Sequence, residues 1–497
     1  MNVETLLQGV DVVGSGGLAA LGPLRRVVAD SRQVRPGDVF VAVRGERSDG
    51  HRFLGAAVAA GASLLVVESG DGLAAPWVQV ADTRRALGTL AANALGRPAS
   101  RMDVVGVTGT NGKTTSTHIL DEALSACGRV TGLLGTVRRR WPGVDEATEM
   151  TTPDPVELQG LLSRMAEAGV DTAVMEVSSH AIEQHRLEGV DVAVAAFTNL
   201  TQDHLDYHGT MEAYGEAKAR LFTDLLQRSP RSRGAAINVD DPFGAALAGR
   251  VAGRVLRFSA RGARADLVAE DARADLSGLK ATVRLGGERA ELGSPLVGWH
   301  NLENLLTAIA AGLLLGEPLG ALVEGAGAVT GVPGRLESVP AAGFAVLVDY
   351  AHTPDALDRV IATARAVTPG RVITVFGCGG DRDRGKRPIM GRAAAASDVV
   401  LITSDNPRTE DPAEVVAQVV AGIEAVGMPR LAGGRGYAAI VDRGDAIRAA
   451  IGLAQPGDTV LVAGKGHEAT QDIGGRKVPF SDVETAREAI GRKDGEV

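Results

Sequence analysis

Four apolar runs in the last third of the chain each close in a polar, glycine-bearing loop: "AVLVDYAHTPDA", "RVITVFGCGGDRDRGKRP", "DVVLITSDNPRTEDP" and "DTVLVAGKGHEATQ". An earlier stretch has the same rhythm, with "MDVVGVTG", "TAVMEV", "VAVAAFTNL" and "GAAINVD" alternating with helical segments. Such alternation restricts the fold to α/β, with parallel sheets joined by crossover helices. In open sheets of this kind ligands bind outside the carboxyl ends of the strands, so the four C-terminal loops are expected to face one crevice. Residues 1 to about 100 carry shorter β-rich runs ("DVFVAV", "SLLVVES") and helical ones ("FLGAAVAAGA", "RRALGTLAANAL"). "LGRPAS" reads as a linker and "VTGVPGRLESV" as a second boundary. Three domains are therefore expected, at 1–100, 101–334 and 335–497, and a chain of 497 residues is long enough to need about that many cores.

Composition removes several function classes. A net charge of -9 argues against a nucleic-acid partner, which requires a positive surface. Cys127 and Cys378 are the only cysteines and have no paired spacing, so neither a disulfide framework nor a zinc site is indicated. "MNVETLLQGVDVVG" lacks the basic start of a signal peptide. The most apolar stretch, "LLTAIAAGLLLGEPLGALVEG", is broken by Glu317 and Pro318 and falls short of a membrane span. A cytoplasmic enzyme without membrane insertion is expected.

"VVGVTGTNGKTTSTHIL" joins an apolar strand to a helix through Gly109, Thr110, Asn111, Gly112, Lys113, Thr114 and Thr115. The common nucleotide loop has a glycine five positions before the second one, and here Val107 stands there. The chemistry is nonetheless that of a phosphate loop. Glycines let backbone N–H groups approach an anion, Lys113 reaches the β/γ-phosphates, and the Thr114 hydroxyl is offered to Mg²⁺. The helix N-terminus adds its positive end. A magnesium carboxylate is expected at the end of a neighbouring strand, and Glu176 in "DTAVMEVSSH" is the candidate, the alternative being an edge-strand carboxylate.

"FTNLTQDHLDYHGTMEAYGEAKARLF" places Asn199, Asp203, His204, Asp206 and His208 together, then a helix bearing Lys218. Oxygen ligands with histidine suit Mg²⁺ or Mn²⁺ better than structural zinc. Lys218 on its own reads as part of a solvated helix face.

The "VTGTNGKTT" loop, "MEVSSHAIEQHR" and "TNLTQDHLDYHGTMEAYGEAKARLF" resemble the central domain of the Mur ligases, ATP-dependent amide-forming enzymes of peptidoglycan precursor synthesis. "ADSRQVRPGDVFVAVRG" resembles their N-terminal uridine-nucleotide domain, and "DNPR" with "GKGHE" their C-terminal domain, so the likeness spans essentially the whole chain. It implies a small mixed α/β N-terminal domain, a central P-loop-type parallel sheet and a Rossmann-like C-terminal domain. It further implies that Gly109 to Thr115 bind ATP, with Asn301, Arg335 and Asp349 near the adenosine. Thr114, Glu176, His204 and an N-carboxylated Lys218 would hold Mg²⁺, and Lys113, Glu176, His204 and Lys218 would carry catalysis. A carbamate in place of an ammonium makes sense beside a divalent cation, because it is anionic and bears oxygen. Ser31, Thr151, Thr152, Ser178, Gln184 and Arg186 would touch the uridine-nucleotide substrate, as would the more variable "GERSDG".

Within the family the likeness is greatest to members that add the third peptide residue to UDP-N-acetylmuramoyl-L-alanyl-D-glutamate. Asp405, Asn406, Pro407 and Arg408 resemble the signature of those selecting meso-diaminopimelate over L-lysine. The two amino acids differ by a carboxylate on the far carbon, which a planar arginine fork pairs in bidentate fashion. Arg408 supplies one fork and Arg382 is a candidate for another. Glu468 and the Gly464 carbonyl would accept from the substrate ammonium at the same end. The implied reaction is a two-step ligation through an acyl phosphate, with His352 either a nearby base or a structural residue. Closure between domains is expected, and the working unit is expected to be a monomer. The rivals are a folylpolyglutamate synthetase-like ligase and a P-loop switch or transporter ATPase. "DNPR" and "DSRQVRPGDVF" speak against the first, and the four C-terminal loops against the second.

Overall fold

The computed structural model describes residues 1–45, 48–70, 72–148 and 150–495. Glu46 and Arg47 of "GERSDG" lie outside the described residues. By contact the chain divides into two compact units, one of residues 1–270, 283–290 and 303–326, the other of 271–282, 291–302 and 327–497.

The first unit holds two sheets. The N-terminal one runs Val12–Gly16, Trp77–Val80, Leu64–Val67, Val39–Val41, Val27–Val28, parallel except for its first strand. In the larger sheet Val255–Ser259, Gly234–Asn238, Val192–Phe197, Asp103–Thr108, Thr172–Glu176 and Thr131–Leu134 are neighbours in that order and all parallel. Strand Asp103–Thr108 is buried along its length, as a strand covered by helices on both faces must be. Register then decides where chemistry collects. Val107 pairs with Glu176 and Thr108 with Phe197, so three strands end level beside the loop that begins at Gly109. Glu176 therefore stands on a strand hydrogen-bonded on both sides, and its reading as an edge-strand carboxylate fails.

In the second unit the sheet order is Glu337–Val339, Ala345–Asp349, Thr459–Ala463, Val372–Cys378, Val399–Ser404, Gly436–Ala439, with only the first strand antiparallel. The four apolar runs that opened the sequence are its four inner strands, so their loops all leave from the same sheet edge. Two helices on one face, Lys386–Ala394 and Pro412–Glu424, touch backbone to backbone. A Cβ on Gly391 would lie 2.2 Å from the Val419 carbonyl oxygen, and one on Gly422 would lie 2.0 Å from that of Pro388. Among the described residues no helix is long and apolar enough to cross a membrane.

Gly422→Ala is expected to destabilise this unit. Overpacking costs about 1–3 kcal/mol and outweighs the gain of about 1 kcal/mol in helix propensity. Urea unfolding followed by far-UV circular dichroism checks this, and an unchanged or raised midpoint would mean that the helices separate freely.

Candidate functional site

The loop after Asp103–Thr108 is shaped by its two glycines. Gly109 has φ +150° and Gly112 φ +85°, and a Cβ on them would meet Thr198 Oγ1 at 1.9 Å and Asn304 Oδ1 at 2.2 Å. Thr198 also donates to the Asn111 carbonyl at 2.6 Å, and Thr110 N donates to the Asn199 carbonyl, so the next strand end clamps the loop. Helix Lys113–Ala126 follows directly, with the αL Gly112 before it. Lys113 Nζ donates to the carbonyls of Gly109 (3.0 Å) and Thr110 (2.9 Å), curling over the loop where an anion would sit. The cradle fits a polyphosphate: its backbone amides are at a helix N-terminus and its ammonium leans across them.

Glu176 is almost fully buried and is held by three donors. Its Oε2 accepts from the hydroxyls of Thr114 (2.9 Å) and Thr136 (3.1 Å), and its Oε1 accepts from Thr136 N (2.7 Å). Sequence reasoning missed Thr136. A threonine just past strand Thr131–Leu134 becomes meaningful only once that strand is known to lie beside Thr172–Glu176.

Lys218 is 1% exposed, which removes its reading as a solvated helix residue. Nζ donates to the Gly109 carbonyl at 2.8 Å and lies 4.3 Å from the Tyr214 ring centroid. Burial, and secondarily the nearby charge of Lys113, hold its ammonium well below the ordinary lysine range. The shift favours the uncharged amine, the form that reacts with carbon dioxide. His204 adopts φ 51° and packs its ring against His180 (4.8 Å) and Tyr214 (6.2 Å). A non-glycine residue held in this region is a strained position of the kind found at binding sites. Among the described residues no three His, Cys, Asp or Glu side chains form a cage for a metal. A hydroxyl and one carboxylate beside a phosphate cradle are what Mg²⁺ uses when phosphates complete its shell. Thr114 and Glu176, joined at 2.9 Å, fit that cation.

The same carboxylate leads to a second pocket. Thr152 Oγ1 donates to the Glu176 carbonyl (2.9 Å) and accepts from Ser178 N (3.1 Å), while Thr151 Oγ1 lies 3.0 Å from Thr136 Oγ1. Arg186 reaches the Thr152 carbonyl (2.8 Å) and donates twice to Gln184 Oε1 (3.1 and 2.7 Å). Gln184 and Arg186 line a cavity of about 630 Å³ whose other walls include Asp30, Gln33, Arg84 and Asp154. Ser31 stands on the single turn Ser31–Gln33 beside it. His185, between the two lining residues, has φ 55° and bonds Glu188 Oε1 at 3.2 Å.

In the second unit the loops after Val399–Ser404 and Thr459–Ala463 interlock. Asn406 Nδ2 donates to Glu468 Oε2 at 2.9 Å, and Gln471 donates to the Asp405 carbonyl. Gly464, at φ +120°, lies against the Asp405 carboxylate, which a Cβ would meet at 3.3 Å. Arg408 has φ 52° and donates to the Gly380 carbonyl at 2.7 Å. Its Nη1 and the Cγ of the exposed Arg382 both flank Gly379, which brings the two side chains to one loop. The Pro407 carbonyl is packed on Gly380 so closely that only glycine fits there. Asn301 donates to the Val297 carbonyl (2.8 Å), and Arg335 lies over the Tyr350 ring at 5.2 Å. Asp349 is anchored by Leu336 N and Ala351 N, each at 2.8 Å. His352, an exposed residue, meets the Tyr350 carbonyl at 2.9 Å.

A phosphate cradle with a buried carboxylate beside it, at the ends of parallel strands, is the arrangement of an ATP-using α/β enzyme. Family models match along the chain: the Mur ligase family catalytic domain at residues 24–94, the Mur ligase middle domain at 107–312 and the Mur ligase glutamate ligase domain at 334–466. The chain is 44% identical to a protein of Parasynechococcus marenigrum, with 99% of each covered, and 46% identical to one of Synechococcus elongatus, with 93% of each covered. Both are named UDP-N-acetylmuramoyl-L-alanyl-D-glutamate--2,6-diaminopimelate ligase. A solved structure of a protein with that name superimposes with a TM-score of 0.75 at 34% identity, covering 99% of each chain. The chain belongs to the Mur ligase family, and with it come a three-domain α/β fold, ATP and Mg²⁺.

Glu176→Gln is expected to raise the Mg²⁺ concentration for half-maximal turnover roughly 10–100-fold, the usual loss when a group supporting a metal site is altered. Mg²⁺ titration of ATP-dependent activity checks this, and an unchanged titration would remove Glu176 from the site.

Proposed function

We propose that this chain is an ATP-dependent ligase that joins meso-2,6-diaminopimelate to UDP-N-acetylmuramoyl-L-alanyl-D-glutamate in peptidoglycan precursor synthesis. The observation that carries the choice of amino acid is the crevice in which Arg408 and Arg382 flank Gly379 while Asn406 and Glu468 are joined. A guanidinium at one end of a site, with a second arginine at the same loop, suits an amino acid with a second carboxylate. L-Lysine would leave the half-buried Arg408 without its anion, which disfavours it against an amino acid that supplies one.

Each group then has a task. The D-glutamate side carboxylate of the nucleotide substrate attacks the γ-phosphorus of ATP, ADP leaves, and an acyl phosphate forms. The amine of diaminopimelate attacks the acyl carbon, loses a proton, and inorganic phosphate leaves. Lys113 exchanges its bonds to the Gly109 and Thr110 carbonyls for phosphate oxygens, and the amides of the Gly109 to Thr114 loop hold them. Mg²⁺, when bound, offsets charge on the transferring phosphoryl group. Thr114, Glu176, His204 and Lys218 hold that cation, Lys218 as a carbamate formed when its uncharged amine adds to carbon dioxide and releases a proton. Gln184, Arg186, Ser178, Thr151, Thr152 and Ser31 orient the uridine-nucleotide substrate, and Asn301, Arg335 and Asp349 serve the adenosine. His352 is a structural residue or the base that receives the amine proton. Residues 1–100, 101–334 and 335–497 divide the labour as uridine-nucleotide, ATP and amino-acid domains. The enzyme works as a cytoplasmic monomer.

Phosphate release from ATP with the muramoyl-dipeptide nucleotide is expected to require meso-diaminopimelate and to be poorly supported by L-lysine. Arg408→Ala is expected to lower kcat/KM for diaminopimelate by at least about 30-fold, the effect of removing one member of a buried charge pair worth roughly 2–5 kcal/mol. Equal use of the two amino acids would overturn the role of Arg408, and release that needs neither substrate would overturn the ligase.

A further inference from the structure

We infer that Lys465 is a positioning residue of the amino-acid site, holding Glu468 and Asn406 in the orientation that receives the ammonium of the incoming amino acid. The inference rests on the ligase reading above and adds to it a residue that itself need not touch substrate.

The side chain of Lys465 is fully buried. Burying an ammonium is costly unless each of its protons is answered, so its partners report what it is for. Nζ lies 2.7 Å from Glu468 Oε2, 3.1 Å from Asn406 Oδ1 and 3.8 Å from Asp405 Oδ1. One cation thus ties the loop after Val399–Ser404 to the loop after Thr459–Ala463, and all three partners are groups assigned to the amino acid. Asn406 is fixed twice over: its Oδ1 also accepts from Asp472 N at 2.9 Å, which turns its amide nitrogen to Glu468 Oε2. Oε2 of Glu468 is therefore committed to Lys465 and Asn406, and Oε1 lies outside both bonds.

A nearby buried cation, Arg443, also reaches a strand end, donating to the Ala463 carbonyl at 3.0 Å, but takes its charge partner elsewhere. Arg443 and Asp482 are also fully buried, and they close on each other in bidentate fashion at 2.7 and 2.6 Å. Lys465 instead spends its charge on residues of the crevice. Asp405 Oδ1 is buried, has no hydrogen bond among the described residues and has the Lys465 ammonium 3.8 Å away as its charge partner. Burial alone would raise the Glu468 carboxyl, but Lys465 and Asn406 hold it below the ordinary carboxylate range, so it faces an ammonium as an anion.

The test is steady-state kinetics of Lys465→Met, nearly isosteric and uncharged, in the intact enzyme. The KM for meso-diaminopimelate is expected to rise roughly tenfold or more, as for loss of one charge-assisted hydrogen bond. The KM values for ATP and the nucleotide substrate, and kcat at saturation, should change little. On a Glu468→Gln background the same substitution should add less than about twofold, because its target is gone. An unchanged diaminopimelate KM, a uniform rise in all three KM values, or a full-sized further loss on the Glu468→Gln background overturns the inference. If Lys465→Met does not fold, Lys465→Gln is read in the same way, and failure of both to fold assigns Lys465 to stability alone. Wild-type turnover that depends on diaminopimelate, with variants unaffected, sinks only this inference. Absence of that turnover sinks the ligase reading and this one with it.

Discussion

A carboxylate cannot sit inside a parallel sheet unless donors surround it, and Glu176 is such a carboxylate. Its three donors come from the phosphate-loop helix and from the turn after the neighbouring strand. Its own carbonyl oxygen takes the Thr152 hydroxyl, which in turn accepts from Ser178 N. The phosphate cradle and the segment that leads to the Gln184–Arg186 cavity are therefore built around the two ends of one residue. Displacing it would cost more than a metal ligand, because the turns on either side take their positions from it.

The second unit solves the same problem with cations. Parallel strand ends concentrate loops at one edge, and the loops of 404–408 and 464–468 are drawn together by buried charge rather than by apolar packing. Hydrophobic contact is indifferent to small rotations, whereas a network of charge-assisted hydrogen bonds has one good geometry. A site that must tell one amino acid from another by a single carboxylate needs that kind of rigidity.

How much of this was legible in the sequence depended on whether the relevant residues are contiguous. The phosphate loop carries its chemistry within a few positions, and strand–helix alternation is local too, so ATP use and the α/β class could be read directly, while "DNPR" and "GKGHE" spoke through their resemblance to a family. Thr136 and Thr198 could not, because each acquires its partner only through strand order, 40 and 87 positions away in the chain. Burial was equally hidden. Lys218 in a charged helix reads as solvated, and its place under the loop depends on Gly109 offering a carbonyl at 2.8 Å. The left-handed backbone of His185, His204 and Arg408 has no signature in residue type, since none of these is glycine.

Gln184 accepts from Arg186, and Lys113 donates to two carbonyls of its own loop. Under the roles proposed for these residues, each ligand must displace one of these internal bonds to take its place. Measured affinities will then be differences between two sets of bonds and will understate the contacts seen in a complex. A small molecule that left the Gln184–Arg186 pair intact and filled the space beside it would escape that exchange. It would not need to resemble the substrate.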